Sequence, residues 1–260
     1  MTGRPGHRAD PPEADGGPRL AAALAARITG RLSFDAGARA LYTADASNYR
    51  QVPIGVVLPR SVDDVVAAVA VCAEHRVPVL ARGGGTGYAG QSTNAAVVLD
   101  CSPHLTRVLS LDAAGHRAHV EPGCVLDTLR DQARRHGLTF GPDPAAHDHC
   151  TLGGMIGNNS CGTHSLTAGR TSDNVERLEA LTYDGLRMWV GPTGDDQLAA
   201  IIAEGGRRGE IYARLARLRD AYAEEIPDRP LCCGLTWILD PGVGGPSRPA
   251  TADPDNRSLV

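Results

Sequence analysis

One short segment, ARGGGTGYAGQS at residues 81–92, places the strongest constraint on the fold of this chain. It follows a continuous apolar run at 77–82, a pattern typical of a buried strand. A second run of the same kind occupies residues 95–100. The chain therefore passes between two predicted buried strands through a loop that has almost no side chains.

Gly85, Gly87 and Gly90 also spell GxGxxG, the fingerprint of a dinucleotide-binding Rossmann fold. That loop must lead directly into a long helix, whose N-terminus holds the pyrophosphate. Here the next strand starts at Ala95, so no crossover helix fits, and Asp100 comes too early for the acidic residue expected about 20 residues on. A Walker loop is excluded because no Gly-Lys-Ser/Thr follows. The sequence thus disfavours a nicotinamide-dependent dehydrogenase.

The glycine loop still favours a phosphate ligand. Successive backbone N–H groups of residues 83–87 can converge on one anion, and glycines let a ligand approach closely. Arg82 can add positive charge at the edge of the loop. The net charge of the chain is −4, so no overall positive field attracts nucleic acid, and local groups must hold any anion.

A second glycine-rich segment, GPDPAAHDHCTLGGMIGNNSCGTHSLTAGRTSDNV, runs from residue 141 to 175. Thr151 is a predicted helix N-cap, and the glycines at 153–154 would leave the first turn open, which favours an anion. Asn158 and Asn159 supply amide donors and acceptors for the edge of a flat polar ring.

The segments RGGGTGYAGQ, GPDP, TLGGMIGNNSCG and GRTSDNV, in this order, resemble the FAD-binding domain of the vanillyl-alcohol oxidase / p-cresol methylhydroxylase (PCMH) superfamily. The similarity is greatest to its glycolate oxidase and D-lactate dehydrogenase branch, and YTADASNYRQVP at 42–53 fits the segment leading into that domain. The resemblance implies an α+β protein with the PCMH-type FAD-binding fold, in which two α/β subdomains clasp an extended FAD.

The resemblance also implies the residues that contact the cofactor. The pyrophosphate is assigned to Arg82, Gly83, Gly84, Gly85, Thr86, Gly87, Gln91 and Ser92. The flavin and ribityl region is assigned to Pro142, Asp143, Thr151, Gly153, Gly154, Gly157, Asn158, Asn159 and Gly162, and the adenine end to the backbone of Val175. Thr86 stands where some relatives carry a histidine linked to flavin, so we expect non-covalent FAD.

The reaction implied is oxidation of a small (R)-2-hydroxy acid of the D-lactate, glycolate or D-2-hydroxyglutarate type, by hydride transfer to flavin N5. The electrons would pass to a quinone, a cytochrome or an iron–sulfur protein. Relatives bind their substrate in a cap domain, and nothing after Pro227 matches it, so the chain is expected to be truncated, with no identifiable catalytic residue. Two alternatives remain: a catalytically incomplete FAD-binding fragment, and a flavoenzyme of the same fold with another substrate.

Other candidate groups are weaker. His147, Asp148 and His149 suggest a metal, but no third ligand follows at a fitting spacing, so we expect no metal site. His164 is expected to be a surface or hydrogen-bonded histidine and Cys161 a packing residue. A single CCG at 232–234 cannot build an iron–sulfur site. The chain has seven cysteines, and none of them shows the spacing of a zinc site, which indicates reduced thiols in a cytoplasmic protein. The resemblance implies that intact relatives can be peripheral to the membrane.

The predicted organisation has three parts: a disordered tail at 1–18, the FAD-binding domain at 19–226 (core 48–226, its C-terminal part incomplete), and a disordered tail at 227–260. No transmembrane segment is predicted, and the apolar run at 20–26 is too short for one. Helices are predicted at 19–29, 125–137, 195–204 and 208–226, and a further helix is predicted to start at Ser61, which forms a cap and capping box with Asp64. Strands are predicted at 55–59, 77–82, 95–100 and 138–143. Hairpins are predicted around 112–115 and Asp184-Gly185.

Overall fold

The computed structural model describes residues 16–223 and 257–259. Its helices are α1 (Gly16–Ala25), α2 (Ala36–Leu41), α3 (Val62–Glu74), α4 (Leu126–Arg134), α5 (Leu152–Asn158), α6 (Ser165–Ala168), α7 (Asp195–Glu204) and α8 (Gly206–Ala221), with a 3-10 turn at Thr171–Asn174. Its strands are β1 (Arg31–Ser33), β2 (Gly55–Leu58), β3 (Val79–Arg82), β4 (Val97–Asp100), β5 (Val108–Asp112), β6 (Arg117–Val120), β7 (Leu138–Phe140), β8 (Leu178–Leu181), β9 (Arg187–Val190) and β10 (Arg257–Leu259). The helix α1 begins inside the segment 1–18 that was expected to be disordered.

The first subdomain is a four-stranded sheet in the order β1-β2-β4-β3, covered by α1 and α3. Strands β2, β4 and β3 are parallel, and β1 pairs antiparallel with β2. The central strand β4 is buried throughout, as its apolar run predicts. Strand β3 is only partly buried, so the prediction of a buried strand at 77–82 was wrong: β3 lies at the edge of the sheet.

The start of α3 is tied to the segment that follows α1. The Ser61 hydroxyl accepts a hydrogen bond from the Asp64 N–H (3.1 Å), which confirms the predicted N-cap. The Asp64 carboxylate is buried and accepts from the Arg60 N–H (2.8 Å) and the Thr29 N–H (2.7 Å). Burial favours a higher pKa for Asp64, but these hydrogen bonds outweigh it and lower the pKa. The buried carboxylate therefore ties the chain after α1 to the start of α3.

The connection between β3 and β4 is the glycine-rich segment at 83–96. The two strands are neighbours and parallel, with Arg82 opposite Asp100 at their carboxyl ends. A parallel pair requires a crossover of a dozen or more residues, which is usually a helix. Here the crossover contains no helix, as the sequence predicts. The loop therefore starts at the carboxyl edge of the sheet, the edge at which α/β proteins bind ligands.

The second subdomain packs the β5–β6 hairpin, α4 and β7 around a separate core. That core includes Leu126 and Leu129 of α4, Phe140 of β7, and Leu152 and Met155 of α5. The hairpin turn, the helix and the strand were each predicted from the sequence, and all three predictions are confirmed. The chain leaves α4 through Gly137 at a φ of 67°, the left-handed conformation expected after a helix end.

The remaining elements extend this second half. The β8–β9 hairpin turns at Asp184-Gly185 as predicted, and α7 and α8 pack against each other. The Tyr183 hydroxyl donates to the Val77 carbonyl (2.8 Å) and so fastens the hairpin to the first subdomain. Strand β10 pairs parallel with β7, although residues 227–260 were expected to be disordered; the rest of that tail, including CCG, lies outside the described residues.

Candidate functional site

The glycine loop adopts a conformation that leaves its amide groups free. Gly85 has a φ of 67°, which side chains larger than hydrogen disfavour. Its carbonyl accepts a hydrogen bond from the Ala46 N–H (3.0 Å). Within the described residues, no hydrogen bond engages the backbone N–H groups of residues 84–88. Consecutive unengaged N–H groups on such a loop form a concave site for an anion.

The two glycine-rich segments, which are distant in sequence, meet in the structure. A Cβ atom at Gly83 would overlap the Thr151 hydroxyl oxygen, and a Cβ atom at Gly84 would overlap the His149 carbonyl oxygen. The loop of the first subdomain therefore lies directly against the start of α5 in the second. This contact brings the expected pyrophosphate residues beside the expected flavin residues.

The start of α5 corrects one expectation. Thr151 is the N-cap, as predicted, and its hydroxyl accepts from the Gly154 N–H (3.2 Å). The Leu152 and Gly153 N–H groups donate to the Cys124 and Pro122 carbonyls (both 2.8 Å). The prediction that this helix start is open to an anion was wrong, because protein acceptors already satisfy its first N–H groups. The free amides lie on the glycine loop instead.

The outer end of α5 is linked to the loop by side chains. The Gln91 amide donates to the Asn158 side-chain oxygen (2.6 Å), so two predicted site residues touch. Asn158 and Gly157 are exposed, and no atom lies within 4 Å of the position of a Cβ at Gly157. Asn159 ends the helix in a left-handed conformation, and its side-chain oxygen accepts from the Ser172 N–H (2.9 Å). Gly157 and Asn158 therefore belong to the accessible face of this helix, together with Gly154 and Ile156.

Arg82, which was assigned to the pyrophosphate, makes hydrogen bonds to the protein itself. Its guanidinium donates to the Ser92 and Ala44 carbonyls (2.9 Å each) and lies 5.3 Å from the centre of the Tyr42 ring. The Ser92 hydroxyl donates to the Asp45 carboxylate (2.7 Å). The side chains of Arg82 and Ser92 therefore hold the loop to the 42–51 segment.

The Pro142-Asp143 turn is fixed by a residue that the sequence interpretation missed. The Arg130 guanidinium donates to the Asp143 carboxylate (2.8 Å) and to the Pro142 carbonyl (3.0 Å). The hydrogen bond from Arg130 lowers the pKa of Asp143, although partial burial opposes the shift. His164 Nδ1 lies 3.1 Å from the same carboxylate, and its side chain is exposed, so His164 is a surface histidine, one of the two expected roles.

Two further predicted residues complete this side. Gly162 lies against the Asp143 carbonyl, at a distance too short for a side chain. Val175 follows the 3-10 turn with an extended backbone and leads into β8.

Asp45 and Tyr42, also missed, lie under the glycine loop. Asp45 accepts from both the N–H and the hydroxyl of Ser47, and Tyr42 donates to Asp100 (2.8 Å). The sequence does carry one signal for Asp45, since an Asp two residues before a Ser is typical of a side-chain-stabilised turn. Arg130 has no comparable local signal, because its partners are 10 to 13 residues away.

Within residues 16–223, the histidine cluster and the cysteines do not form a metal site. His147 Nδ1 lies 2.7 Å from Asp127, and this hydrogen bond raises the pKa of His147. Among residues 16–223, no group of three or more His, Cys, Asp or Glu side chains could hold a metal ion. Burial raises the pKa of the Cys72, Cys124 and Cys150 thiols to about 11, so they stay protonated. No helix in the described part is long and apolar enough to cross a membrane.

Comparison with known proteins identifies the domain. The model of the family described as FAD binding domain matches residues 53–191. D-2-hydroxyglutarate dehydrogenase of Pseudomonas putida is 34% identical over 200 residues, which cover 76% of this chain and 20% of that protein. The glycolate oxidase subunit GlcD of Escherichia coli is 34% identical (63% of this chain, 34% of the subunit), and D-lactate dehydrogenase of Archaeoglobus fulgidus is 37% identical (52% and 30%). The chain thus spans a fifth to a third of these relatives.

Solved structures agree on the fold. Alkyldihydroxyacetonephosphate synthase superposes with a TM-score of 0.60 at 25% identity, over 66% of this chain and 38% of that one. 6-Hydroxy-D-nicotine oxidase from Arthrobacter nicotinovorans superposes with a TM-score of 0.57 at 23% identity, over 71% and 38%. The α+β, PCMH-type fold predicted from the sequence is confirmed. The chain belongs to the FAD binding domain family, within the vanillyl-alcohol oxidase / PCMH flavoprotein superfamily.

Proposed function

We propose that the glycine loop holds the pyrophosphate of a non-covalently bound FAD. The observation that carries this proposal is the run of unengaged backbone N–H groups at residues 84–88, at the carboxyl edge of a parallel sheet. Converging backbone amides can hold an anion without a free cation. This matters here because the net charge of the chain is −4 and the Arg82 guanidinium, at the start of the loop, is already bonded to two carbonyls. Thr86 has no ring nitrogen with which to form a histidyl–flavin bond.

The residues proposed to contact the rest of FAD lie where the two subdomains meet. Gln91 and Asn158 join the loop to the exposed end of α5, beside Gly157. The turn held by Arg130 places Asp143 and Gly162 together on the same side. These residues would position the ribityl chain and the ring, and the backbone of Val175 would contact the adenine end. When bound, FAD supplies a two-electron acceptor that the protein orients.

The direct test is FAD binding by the purified chain. We expect visible flavin absorption that is retained through gel filtration, and saturable quenching when apo-protein is titrated with FAD. A colourless protein that binds NADH and not FAD would overturn the assignment.

We further propose that the domain serves an oxidoreductase acting on a small (R)-2-hydroxy acid, in the cytoplasm. The support is the shared chemistry of the relatives' names: D-2-hydroxyglutarate, glycolate and D-lactate are all 2-hydroxy acids. The electron acceptor would be a quinone, a cytochrome or an iron–sulfur protein. The chain's own residues would fix and orient the cofactor.

A second candidate is a cofactor-binding unit without substrate turnover of its own. It is favoured by the described residues, which present no cluster able to hold a metal and thereby a substrate carboxylate. Leu166 of α6 and Tyr88 of the loop are also exposed to solvent, at 100% and 78%. The two candidates are separated by anaerobic mixing of the FAD-loaded chain with D-lactate, glycolate and D-2-hydroxyglutarate. Rapid, saturable bleaching by one acid selects the enzyme, and its absence with all three selects the binding unit.

A further inference from the structure

The glycine loop is held from below by a segment at residues 42–51, which precedes the family match at 53–191. The Ala46 N–H donates to the Gly85 carbonyl (3.0 Å), and the Arg82 guanidinium donates to the Ala44 carbonyl (2.9 Å). At the far end, the Ala95 N–H donates to the Gln51 side-chain oxygen (3.2 Å). The 42–51 segment thus contacts the start, the middle and the end of the crossover.

Asp45 is the centre of this segment. One of its carboxylate oxygens accepts from the Ser92 hydroxyl (2.7 Å) and lies 3.4 Å from the Ser92 N–H, and the other accepts from the Ser47 N–H (2.9 Å) and hydroxyl. Because the Ser92 hydroxyl hydrogen is given to Asp45, it is not available to a phosphate in this arrangement. The Ser92 carbonyl is held at the same time by Arg82. Ser92 is therefore fixed from two sides.

The charge of Asp45 makes this arrangement informative. A carboxylate beside an anion-binding loop repels the anion, so Coulomb energy alone predicts that Asp45 weakens the binding of a pyrophosphate. The geometric effect has the opposite sign, because a loop with ordered ends loses less conformational entropy when it binds. The change in FAD affinity when the charge of Asp45 is removed therefore shows which of the two effects is larger.

We propose that Asp45 is a positioning residue for the cofactor loop: by holding Ser92 it fixes the end of the 83–92 loop, so that the loop's N–H groups converge on a pyrophosphate. This inference rests on the proposed FAD binding. It assigns a role to a residue outside the matched family segment, and it moves Ser92 from phosphate contact to loop support.

The test compares Asp45→Asn with Asp112→Asn, using the full chain. Asp112 is a matched control because its carboxylate accepts two backbone N–H bonds in the β5–β6 turn (3.1 and 2.9 Å), away from the loop. FAD titration of apo-protein should show Kd raised about tenfold by Asp45→Asn, the loss expected for one charge-assisted hydrogen bond, and unchanged by Asp112→Asn. An unchanged or tighter Kd for Asp45→Asn would overturn the proposal.

A second measurement separates the role of Asp45 from the proposed FAD binding. Hydrogen–deuterium exchange of the apo-proteins should accelerate at the Ala46 and Ser92 amides, whose N–H groups are bonded at the contact between the 42–51 segment and the loop, in Asp45→Asn, and remain unchanged there in Asp112→Asn. If the wild-type chain fails to bind FAD, the proposed function fails, while this exchange measurement still tests whether Asp45 orders the loop.

Ser92→Ala covers the case in which Asp45→Asn does not fold. It removes only the hydroxyl partner and should also weaken FAD binding, with no further loss when combined with Asp45→Asn. Unaltered FAD binding by Ser92→Ala, or additive losses in the double variant, would contradict the proposal.

Discussion

Replacing Gly85 with valine tests the anion-binding loop most severely. The residue has a φ of 67°, and a left-handed conformation costs roughly 1–2 kcal/mol for a residue with a side chain, more for a β-branched one. A Cβ atom there would also lie 2.6 Å from the Arg82 guanidinium. Arg82 would have to give up a charge-assisted hydrogen bond to Ala44 or Ser92, at about 1.5–3 kcal/mol.

These two effects sum to about 2.5–5 kcal/mol, which corresponds to a Kd for FAD raised roughly 60- to 5,000-fold. The assay is fluorescence titration of apo-protein with FAD, accompanied by thermal unfolding. Gly137→Val is the matched control: that residue has the same φ, no atom lies within 4 Å of a Cβ there, and it is remote from the loop. The control should lose stability and keep its FAD affinity. A Gly85→Val variant that binds FAD within threefold of wild type would refute the loop assignment.

Three more outcomes are expected. Acid precipitation of FAD-loaded protein should release all the yellow colour, and flavin retained in the pellet would contradict the non-covalent binding inferred from Thr86 at the position of the linking histidine. Alanine at His147 and at His149 should change FAD affinity by less than about twofold, because the described residues form no metal site there; a loss as large as that of Gly85→Val would show that this loop matters for binding. Asp64→Ala should lower the free energy of unfolding by about 2–4 kcal/mol at neutral pH, since buried N–H donors lose their acceptor. Because the pKa of Asp64 is lowered on folding, its contribution is full above the ordinary value of 3.8 and is lost as the pH falls through the folded pKa, so urea titrations of wild type and variant should converge below pH 4 and not above it.

Local patterns were enough to predict most elements. The Ser61 cap, the Gly137 helix end and the Asp184-Gly185 turn are each decided by residues adjacent in sequence, so they could be identified without tertiary information. The absence of a helix between β3 and β4 followed from counting residues. The exposure of β3 could not be predicted, because an apolar run does not reveal whether its strand lies at the centre or the edge of a sheet.

The sequence predicts a set of candidate site residues, which stays a prediction, but it does not predict the contacts that these residues make with one another. The glycines indicate that the backbone closely approaches another group. They do not indicate that Gly83 and Gly84 contact Thr151 and the His149 carbonyl. The engagement of the α5 amides depends on Pro122 and Cys124, about 30 residues upstream. The sequence suggests that the Arg82 guanidinium is available to a ligand, and its hydrogen bonds to the Ser92 and Ala44 carbonyls are evident only in the structure.

If the helix-free crossover holds the cofactor as proposed, cofactor occupancy is coupled to the folding of the sheet. Since residues 83–96 are the only covalent link between the neighbouring strands β3 and β4, ordering that link also closes the parallel pair. A ligand that binds only the ordered loop stabilises the native state by mass action, by about 2.7 kcal/mol when its free concentration is a hundred times Kd. The yield of folded protein in a cell should therefore follow the supply of flavin, and apo-protein should be cut by proteases first within this crossover.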